Sequence, residues 1–254
     1  MSSSGLVQID GLSPIKTEER KTSKVMLLFP PEWVPTAPYL ALPSLTAVLR
    51  EAGHDVVQRD INIEMYDHFF TMEFLIWVKG RLGMQLKPLQ DKDKAGRLTE
   101  QEAAQKAVLE EAYAVDVFDL ADRAEDAKLV VRGERFYEAE KLERALNTFR
   151  EAMQYISSAY YPASLVFYPM ESNLGYRPGV SKEVFACLDD EQVNVYRDIC
   201  NQLVLPSVSK EKPTVIGISI GTQMQLMAGL TFCKMIKESF PDIHVVVGGN
   251  VVTR

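Results

Sequence analysis

The sequence predicts an α/β fold in which an open parallel sheet carries helices on both faces and is interrupted by a long, mainly helical insertion. Short apolar runs of the kind buried inside parallel sheets alternate with helical patterns near both ends of the chain. About 150 residues lie between these two units, far more than one crossover helix needs. The chain has 254 residues, 46% of them hydrophobic and 25% charged, which is the composition of a globular protein.

The N-terminal unit has the pattern strand, helix, strand. Lys24–Phe29 is a short apolar run that ends at a Pro-Pro pair and predicts a strand buried on both faces. Leu42–Ala52 predicts a helix, because Pro43 suits its first turn and Gly53 its end. The predicted buried face of this helix consists of Leu45, Val48, Leu49 and Ala52. Asp55–Asn62 predicts the second strand, parallel to the first.

The C-terminal unit repeats the pattern. Thr214–Ile220 predicts a strand, Gln223–Phe240 a helix, and His244–Val247 a fourth strand that runs into a Gly-Gly pair. Residues 24–62 and 213–254 together predict a split flavodoxin-like (Rossmann-like) domain. A ligand of such a sheet binds at the carboxyl ends of its strands.

The insertion, residues 63–212, carries helical periodicity in four stretches: Met65–Ile76, Thr99–Leu129, Phe136–Met153 and Asp190–Leu203. The Pro- and Gly-rich stretch Tyr160–Gly179 predicts a folded-back loop. Residues 1–23 predict a flexible tail without the apolar core of a signal peptide. The chain stops soon after the fourth strand, where a doubly wound sheet normally continues, so we expect a truncated domain from a longer polypeptide.

Charge and cysteine content exclude several classes. With 28 Lys+Arg against 35 Asp+Glu, the net charge of -7 disfavours nucleic acid and anionic lipid as partners. No apolar run reaches the 18 residues of a membrane span. The three cysteines fit neither a disulfide framework nor a metal site, which indicates free thiols and a cytoplasmic protein. The three histidines show no paired ligand spacing either, so no metal site is predicted.

The two units carry a family resemblance in their sequence motifs. The runs Lys24-Val-Met-Leu-Leu-Phe-Pro-Pro, residues 38–56 and Asp60-Ile-Asn resemble the N-terminal cobalamin-binding domain of cobalamin-dependent radical S-adenosylmethionine enzymes. Pro213-Thr-Val-Ile-Gly-Ile-Ser-Ile and Val245-Val-Val-Gly-Gly resemble the second half of that domain. The resemblance covers roughly the first and last quarters of the chain and only loosely its helical middle. The order and spacing of the motifs carry it, since each is weak alone.

The resemblance implies a cofactor site at the carboxyl edge of the sheet, where the nucleotide tail of cobalamin enters beside the third and fourth strands. It implies hydroxyl contacts from Ser219 and Thr222, and close backbone approach at Gly248 and Gly249. Trp33 and Tyr39 would shield the lower face of the corrin ring. From their position at the end of the second strand, Asp60 and Asn62 could meet a ribose or a corrin amide, or simply form a turn. The full set of expected cofactor-binding positions is Trp33, Tyr39, Asn62, Ser219, Thr222, Gly248, Gly249 and Asn250.

The sequence departs from the wider cobalamin pattern after the first strand. Cobalamin-dependent methionine synthase has D-x-H-x-x-G there, with a histidine ligand to cobalt, whereas this chain has no histidine in that loop. The expected binding is therefore His-off, as in many family members. The C-x-x-x-C-x-x-C spacing that holds their four-iron cluster is also absent.

The resemblance implies one part of a methyltransferase that acts on an unactivated carbon and is not catalytic by itself. The cluster and S-adenosylmethionine are expected on a C-terminal radical S-adenosylmethionine barrel or on a partner chain carrying it.

Two alternatives stay open. A cofactor-free docking or regulatory domain of the same fold would have its carboxyl edge filled by bulky side chains such as Trp33, Val34, Tyr39 and Thr222. An unrelated flavodoxin-like enzyme using flavin or a phosphosugar is disfavoured, because no phosphate-cradling glycine loop follows any strand. A deep slot between the third and fourth strands would favour a nucleotide tail, and a filled edge would favour docking.

Overall fold

The computed structural model describes residues 22–35, 37, 39–167 and 172–252. The predicted flexible tail, residues 1–23, lies outside the described residues except for its last two. Thr253 and Arg254, on which the expected truncation depends, also lie outside them.

The sheet has four parallel strands, β1 (Lys24–Phe29), β2 (Asp55–Asp60), β3 (Val215–Ser219) and β4 (His244–Gly248). Their order is β2-β1-β3-β4, with every neighbouring pair parallel. The predicted open parallel α/β sheet is therefore confirmed. Because all four strands point the same way, the loops that follow them meet at one edge of the sheet.

Helices connect and cover the strands. One helix joins β1 to β2, one joins β3 to β4, and the others build the insertion. In chain order they are α1 (Ala41–Glu51), α2 (Ile61–Phe69), α3 (Met72–Lys94), α4 (Glu100–Tyr113), α5 (Val117–Arg132), α6 (Ala139–Ser158), α7 (Ser181–Asp189), α8 (Val195–Ile199), α9 (Leu205–Glu211) and α10 (Leu226–Ser239). A π-helical turn, Cys200–Val204, joins α8 to α9 just before Pro206, which has no N–H to continue the regular pattern.

The two faces of the sheet bury alternate residues of the central strand. On one face, Val25, Leu27 and Phe29 pack with Leu42 of α1 and Val56 of β2. On the other face lies the larger core, built from the sheet, α10 and the insertion helices; its sheet members include Met26, Leu28, Ile216 and Ile218. The insertion is thus continuous with the core beneath one face of the sheet.

Helix α1 turns only part of its predicted face to the sheet: Leu49 packs against the core there, as predicted. The prediction buried Leu45 and Val48, but these side chains are 46% and 64% exposed. Leu42 and Thr46 are buried in their place. Thr46 is accommodated there because its hydroxyl donates a hydrogen bond to Gln58 Oε1 at 2.8 Å.

Several predicted boundaries in and near the insertion were wrong. The helical stretch predicted over 65–76 is divided, because α2 ends at Phe69 and Thr71 caps α3. The second strand ends at Asp60, whose carboxylate caps α2 by accepting from the Ile63 N–H at 3.1 Å, so Asn62 lies in the first turn of that helix. The run predicted as one helix over 99–129 is two, because Asp116 caps a new helix. The last insertion helix begins after Asn194, another capping residue, and continues through Glu211.

The predicted loop over 160–179 is present in its described parts, where an isolated antiparallel bridge joins Ser164 and Asn173. No helix in the described part of the chain is long and apolar enough to cross a bilayer.

Candidate functional site

The loop after β1 is tied to the segment after β2 and to the end of β3 at the carboxyl edge. The Trp33 N–H, after β1, donates to Asn62 Oδ1, after β2, at 2.9 Å. The hydroxyls of Tyr39 and Ser219 lie 3.3 Å apart, which joins the first loop to the end of β3. The predicted positions on different strands therefore do share one edge of the molecule, although their role toward a cofactor stays a prediction.

An aromatic cluster covers the end of β1 on the face that α1 occupies. The rings of Phe29 and Tyr39 are stacked with centroids 4.1 Å apart. The Trp33 ring meets both edge-on, at 6.0 and 5.6 Å, and its Nε1 donates to the Ala37 carbonyl at 2.8 Å. Trp33 and Tyr39 thus form a fixed apolar wall beside the end of β3.

Next to this wall, the same face of β3 and β4 presents Gly217, Ser219, Val246 and Gly248; we call this set the bare strip, and its β4 half is the open part. Gly217 and Ser219 lie on the α1 face, since a Cβ at Gly217 would come within 2.9 Å of Leu27 Cδ2 and Ser219 is two residues on. Gly217 pairs with Val246 and Ser219 with Gly248 in the parallel register. Val246 is 45% exposed, and a Cβ at Gly248 would meet nothing within 4 Å. Space therefore lies above the backbone at Val246 and Gly248 on β4, whereas Leu27 fills the position above Gly217 and Ser219 is buried.

Gly249 is needed for the turn after β4 to pack against the end of β3. Its φ of +106° is one that side chains with a Cβ rarely adopt. A Cβ at this position would stand 2.2 Å from the Ile220 carbonyl oxygen. The turn after β4 therefore folds onto the end of β3, and the Ile220 N–H donates to the Gly248 carbonyl at 2.8 Å. Asn250 lies exposed in this turn.

The other side of the carboxyl edge holds a hollow of about 500 Å³ between the turn after β3 and the insertion. Its lining includes Glu32, Tyr196, Thr222 and Met227. The Glu32 carboxylate is buried and accepts hydrogen bonds from the Tyr196 hydroxyl at 3.0 Å and the Ser172 N–H at 3.2 Å. This hollow therefore places one carboxylate among hydrogen-bond donors.

Gln225 fixes the turn after β3. Its Oε1 accepts from the N–H groups of Gly221 and Thr222 at 2.8 and 3.2 Å, and its Nε2 donates to the Pro30 carbonyl at 2.6 Å. Thr222 faces Gln225 in a capping-box arrangement, yet its buried hydroxyl meets no partner at hydrogen-bond distance and angle. A buried hydroxyl in that state gains from a ligand that can hydrogen-bond to it.

Burial keeps the phenols of this region protonated. Burial is the main cause that raises the pKa of Tyr196 well above its usual value, and the nearby Glu32 charge raises it further. The same two causes, in the same order, raise the pKa of Tyr66. At the carboxyl edge of the sheet, the pKa of Asp60 is raised, because burial outweighs two backbone hydrogen bonds that would lower it. The Tyr196 phenol acts here as a hydrogen-bond donor to Glu32.

Sequence reasoning missed Glu32, Tyr196 and Gln225. The contacts that join Glu32 to Ser172 and Tyr196, and Gln225 to Pro30, span 140 to 195 residues, so no local spacing relates those pairs. The one available signal was the presence of a Glu between a buried strand and the helix that follows it.

The histidines lie away from this edge. His54 and His244 are at the amino ends of strands, and His68 pairs with Gln202 at 2.6 Å in the insertion. Among the described residues, no three His, Cys, Asp or Glu side chains gather in a way that could hold a metal ion. Comparisons with family models, with curated proteins and with solved structures found no match to this chain.

Proposed function

We propose that this chain is the cobalamin-binding domain of a radical S-adenosylmethionine enzyme. The bare strip beside Ser219 is the observation that carries the proposal. A nucleotide tail lying flat against a sheet needs backbone free of side chains, a polar group to orient it and an apolar wall. Gly248, the Ser219 hydroxyl and the Tyr39 ring supply these three features at the edge where parallel sheets bind ligands.

The other residues of the edge have distinct tasks under this proposal. Trp33 and Tyr39 shield the side of the ligand that faces the sheet. Asn62 holds the first loop through the Trp33 N–H, and so positions the wall instead of contacting the cofactor directly. The exposed Asn250 side chain would face groups of the ligand above the edge, whereas Thr222 lines the hollow on the other side and is not assigned a contact.

Cobalamin, when bound, supplies the chemistry of methyl transfer to carbon. The contribution of this chain is to orient it and exclude water. Because the loop after β1 has no histidine and the three histidines lie elsewhere, the proposed binding leaves cobalt without a histidine ligand from this chain. S-adenosylmethionine and a four-iron cluster would belong to a C-terminal barrel or to a partner chain that carries it.

One observation favours a second candidate, a cofactor-free docking or regulatory domain. The Tyr39 hydroxyl already lies within hydrogen-bond distance of Ser219, and its ring lies close above Gly221. A side chain in that position occupies the inner end of the bare strip. Binding of a nucleotide tail would require Tyr39 to give up this contact.

The experiment is retention of cobalamin by the purified chain after incubation with hydroxocobalamin and desalting, read from the corrin absorbance. The proposal predicts close to one corrin per chain, and loss of retention in Gly248→Leu. Gly80→Leu is the matched control, because Gly80 lies in α3 and a Cβ there also meets nothing within 4 Å.

Failure of the well-folded wild-type chain to retain corrin would contradict cofactor binding by this chain. If Tyr39→Ala then gained retention, Tyr39 would be the group that blocks the strip, and the docking candidate would be favoured.

A further inference from the structure

A second hollow, of about 450 Å³, lies within the insertion between α2, α5 and α6. Four aromatic residues build one wall. Phe70 and Phe149 are stacked with centroids 4.5 Å apart, and Phe167 meets the Tyr66 and Phe149 rings at 5.3 and 5.4 Å. Rings that hold one another in this way form a rigid apolar surface. The remaining apolar lining includes Ile63, Val131, Leu142 and Leu146.

The charged side chains that line this hollow are mainly positive. Lys128, Arg132 and Arg150 line it, against a single acid, Asp67. This balance runs against the net charge of -7 of the whole chain. A hollow whose charge is opposite to that of the molecule selects anions from solution.

The three cations retain capacity for a ligand. Arg132 forms an ion pair with Asp67. The Lys128 side chain is only 11% exposed and its ammonium, with three donors, has one acid partner, Glu125, at 2.7 Å. Arg150 donates to the neutral Asn147 side chain at 2.7 Å and forms no ion pair among the described residues.

We propose that this hollow binds a small molecule with an apolar body and one carboxylate, with the body against the aromatic wall and the carboxylate at Lys128 and Arg150. An apolar wall with a few placed polar groups is the usual composition of a small-molecule site, and the volume lies in the usual range. The proposal rests on the charge balance and the ring wall alone. It is independent of the cobalamin proposal, which concerns the edge of the sheet.

The test is isothermal titration calorimetry of the full chain with decanoate, decylamine and decanol, three probes that share the same unbranched ten-carbon skeleton. Decanoate should bind with one-to-one stoichiometry and about tenfold or more tighter than decylamine. Lys128→Met should weaken decanoate binding about tenfold, the loss expected for one charge-assisted hydrogen bond. Leu146→Trp should abolish binding by filling the hollow.

Lys141→Met is the matched control. Lys141 pairs with Glu138 three residues away at 2.7 Å, as Lys128 does with Glu125, and it does not line this hollow. Circular dichroism of each variant should match that of the wild type. Retention of hydroxocobalamin, measured on the same variants, should be unchanged, so the two proposals fail separately.

Four outcomes would overturn the proposal. Equal affinity for the three probes would mean non-selective apolar binding. An equal loss of decanoate affinity in Lys128→Met and Lys141→Met would mean that Lys128 does not contact the carboxylate. Absence of binding, or binding gained only after deletion of residues 1–21, would mean that the hollow takes no such ligand in the intact chain.

Discussion

Gly249 and Gly248 are adjacent glycines with different predicted sensitivities, and this difference is the sharpest stability test of the carboxyl edge. Replacing Gly249 by Ala forces a Cβ onto a backbone with φ of +106° and to within 2.2 Å of the Ile220 carbonyl oxygen. An unfavourable backbone conformation costs about 1–3 kcal/mol, and overpacking against a fixed group about 1–3 kcal/mol more. We therefore expect Gly249→Ala to lose about 2–6 kcal/mol of unfolding free energy.

Gly248→Ala is the matched variant. Its Cβ meets nothing within 4 Å and its φ is not in the left-handed region, so we expect a change of less than about 1 kcal/mol. Urea unfolding followed by far-ultraviolet circular dichroism measures both variants. Hydrogen exchange of the Ile220 amide, which donates to the Gly248 carbonyl at 2.8 Å, reports whether the turn has opened.

Equal unfolding free energies for the two variants, with the Ile220 amide still protected, would refute this reasoning. That result would mean that the turn after β4 does not pack on the end of β3 as described.

Three further predictions concern other parts of the fold. Leu42→Ala should lower the free energy of unfolding in urea by about 2–4 kcal/mol, and Leu45→Ala by less than about 1 kcal/mol. The reverse order would mean that α1 buries Leu45, as the sequence predicted. A hydrogen bond from Lys92 is the main cause that lowers the pKa of Glu102 to about 2. The ionised Glu102 carboxylate therefore stabilises the folded chain above pH 4.5, and this contribution is lost as the pH falls toward 2. The pKa of Glu102, measured by NMR titration of its carboxyl group, should rise toward 4.5 in Lys92→Met. An unchanged pKa would exclude the interaction between Lys92 and Glu102. Burial raises the pKa of Cys187 to about 12, so iodoacetamide at pH 8 should label it far faster in urea than in the native chain. Equal labelling rates would contradict its burial.

The sheet could be predicted from the sequence because its signals are local. Lys24–Phe29 and Val215–Ser219 lie within apolar runs bounded by Pro, Gly or polar residues, and parallel strands buried on both faces have this pattern. The face of α1 could not be predicted in the same way. Leu45 and Val48 have the periodicity of a buried face, but Thr46 is buried instead, and Gln58 on the following strand accepts a hydrogen bond from its hydroxyl.

Some residues of the candidate site could likewise be predicted from the sequence, and others could not. Positions at the carboxyl ends of strands, such as Ser219 and Gly248, could be placed at the edge from topology alone. The contact of Gly249 with Ile220 depends on how one turn packs on another strand, which spacing does not encode. The pairing of Glu32 with Tyr196 joins residues 164 positions apart and depends on how the insertion packs against the sheet.

The measurement that tests the central proposal most directly is hydrogen–deuterium exchange of the chain with and without saturating hydroxocobalamin. We expect slower exchange at residues 217–222 and 246–250, which border the bare strip, and no change in α6. Protection confined to the insertion, or no protection at the strip despite bound corrin, would contradict the proposed site.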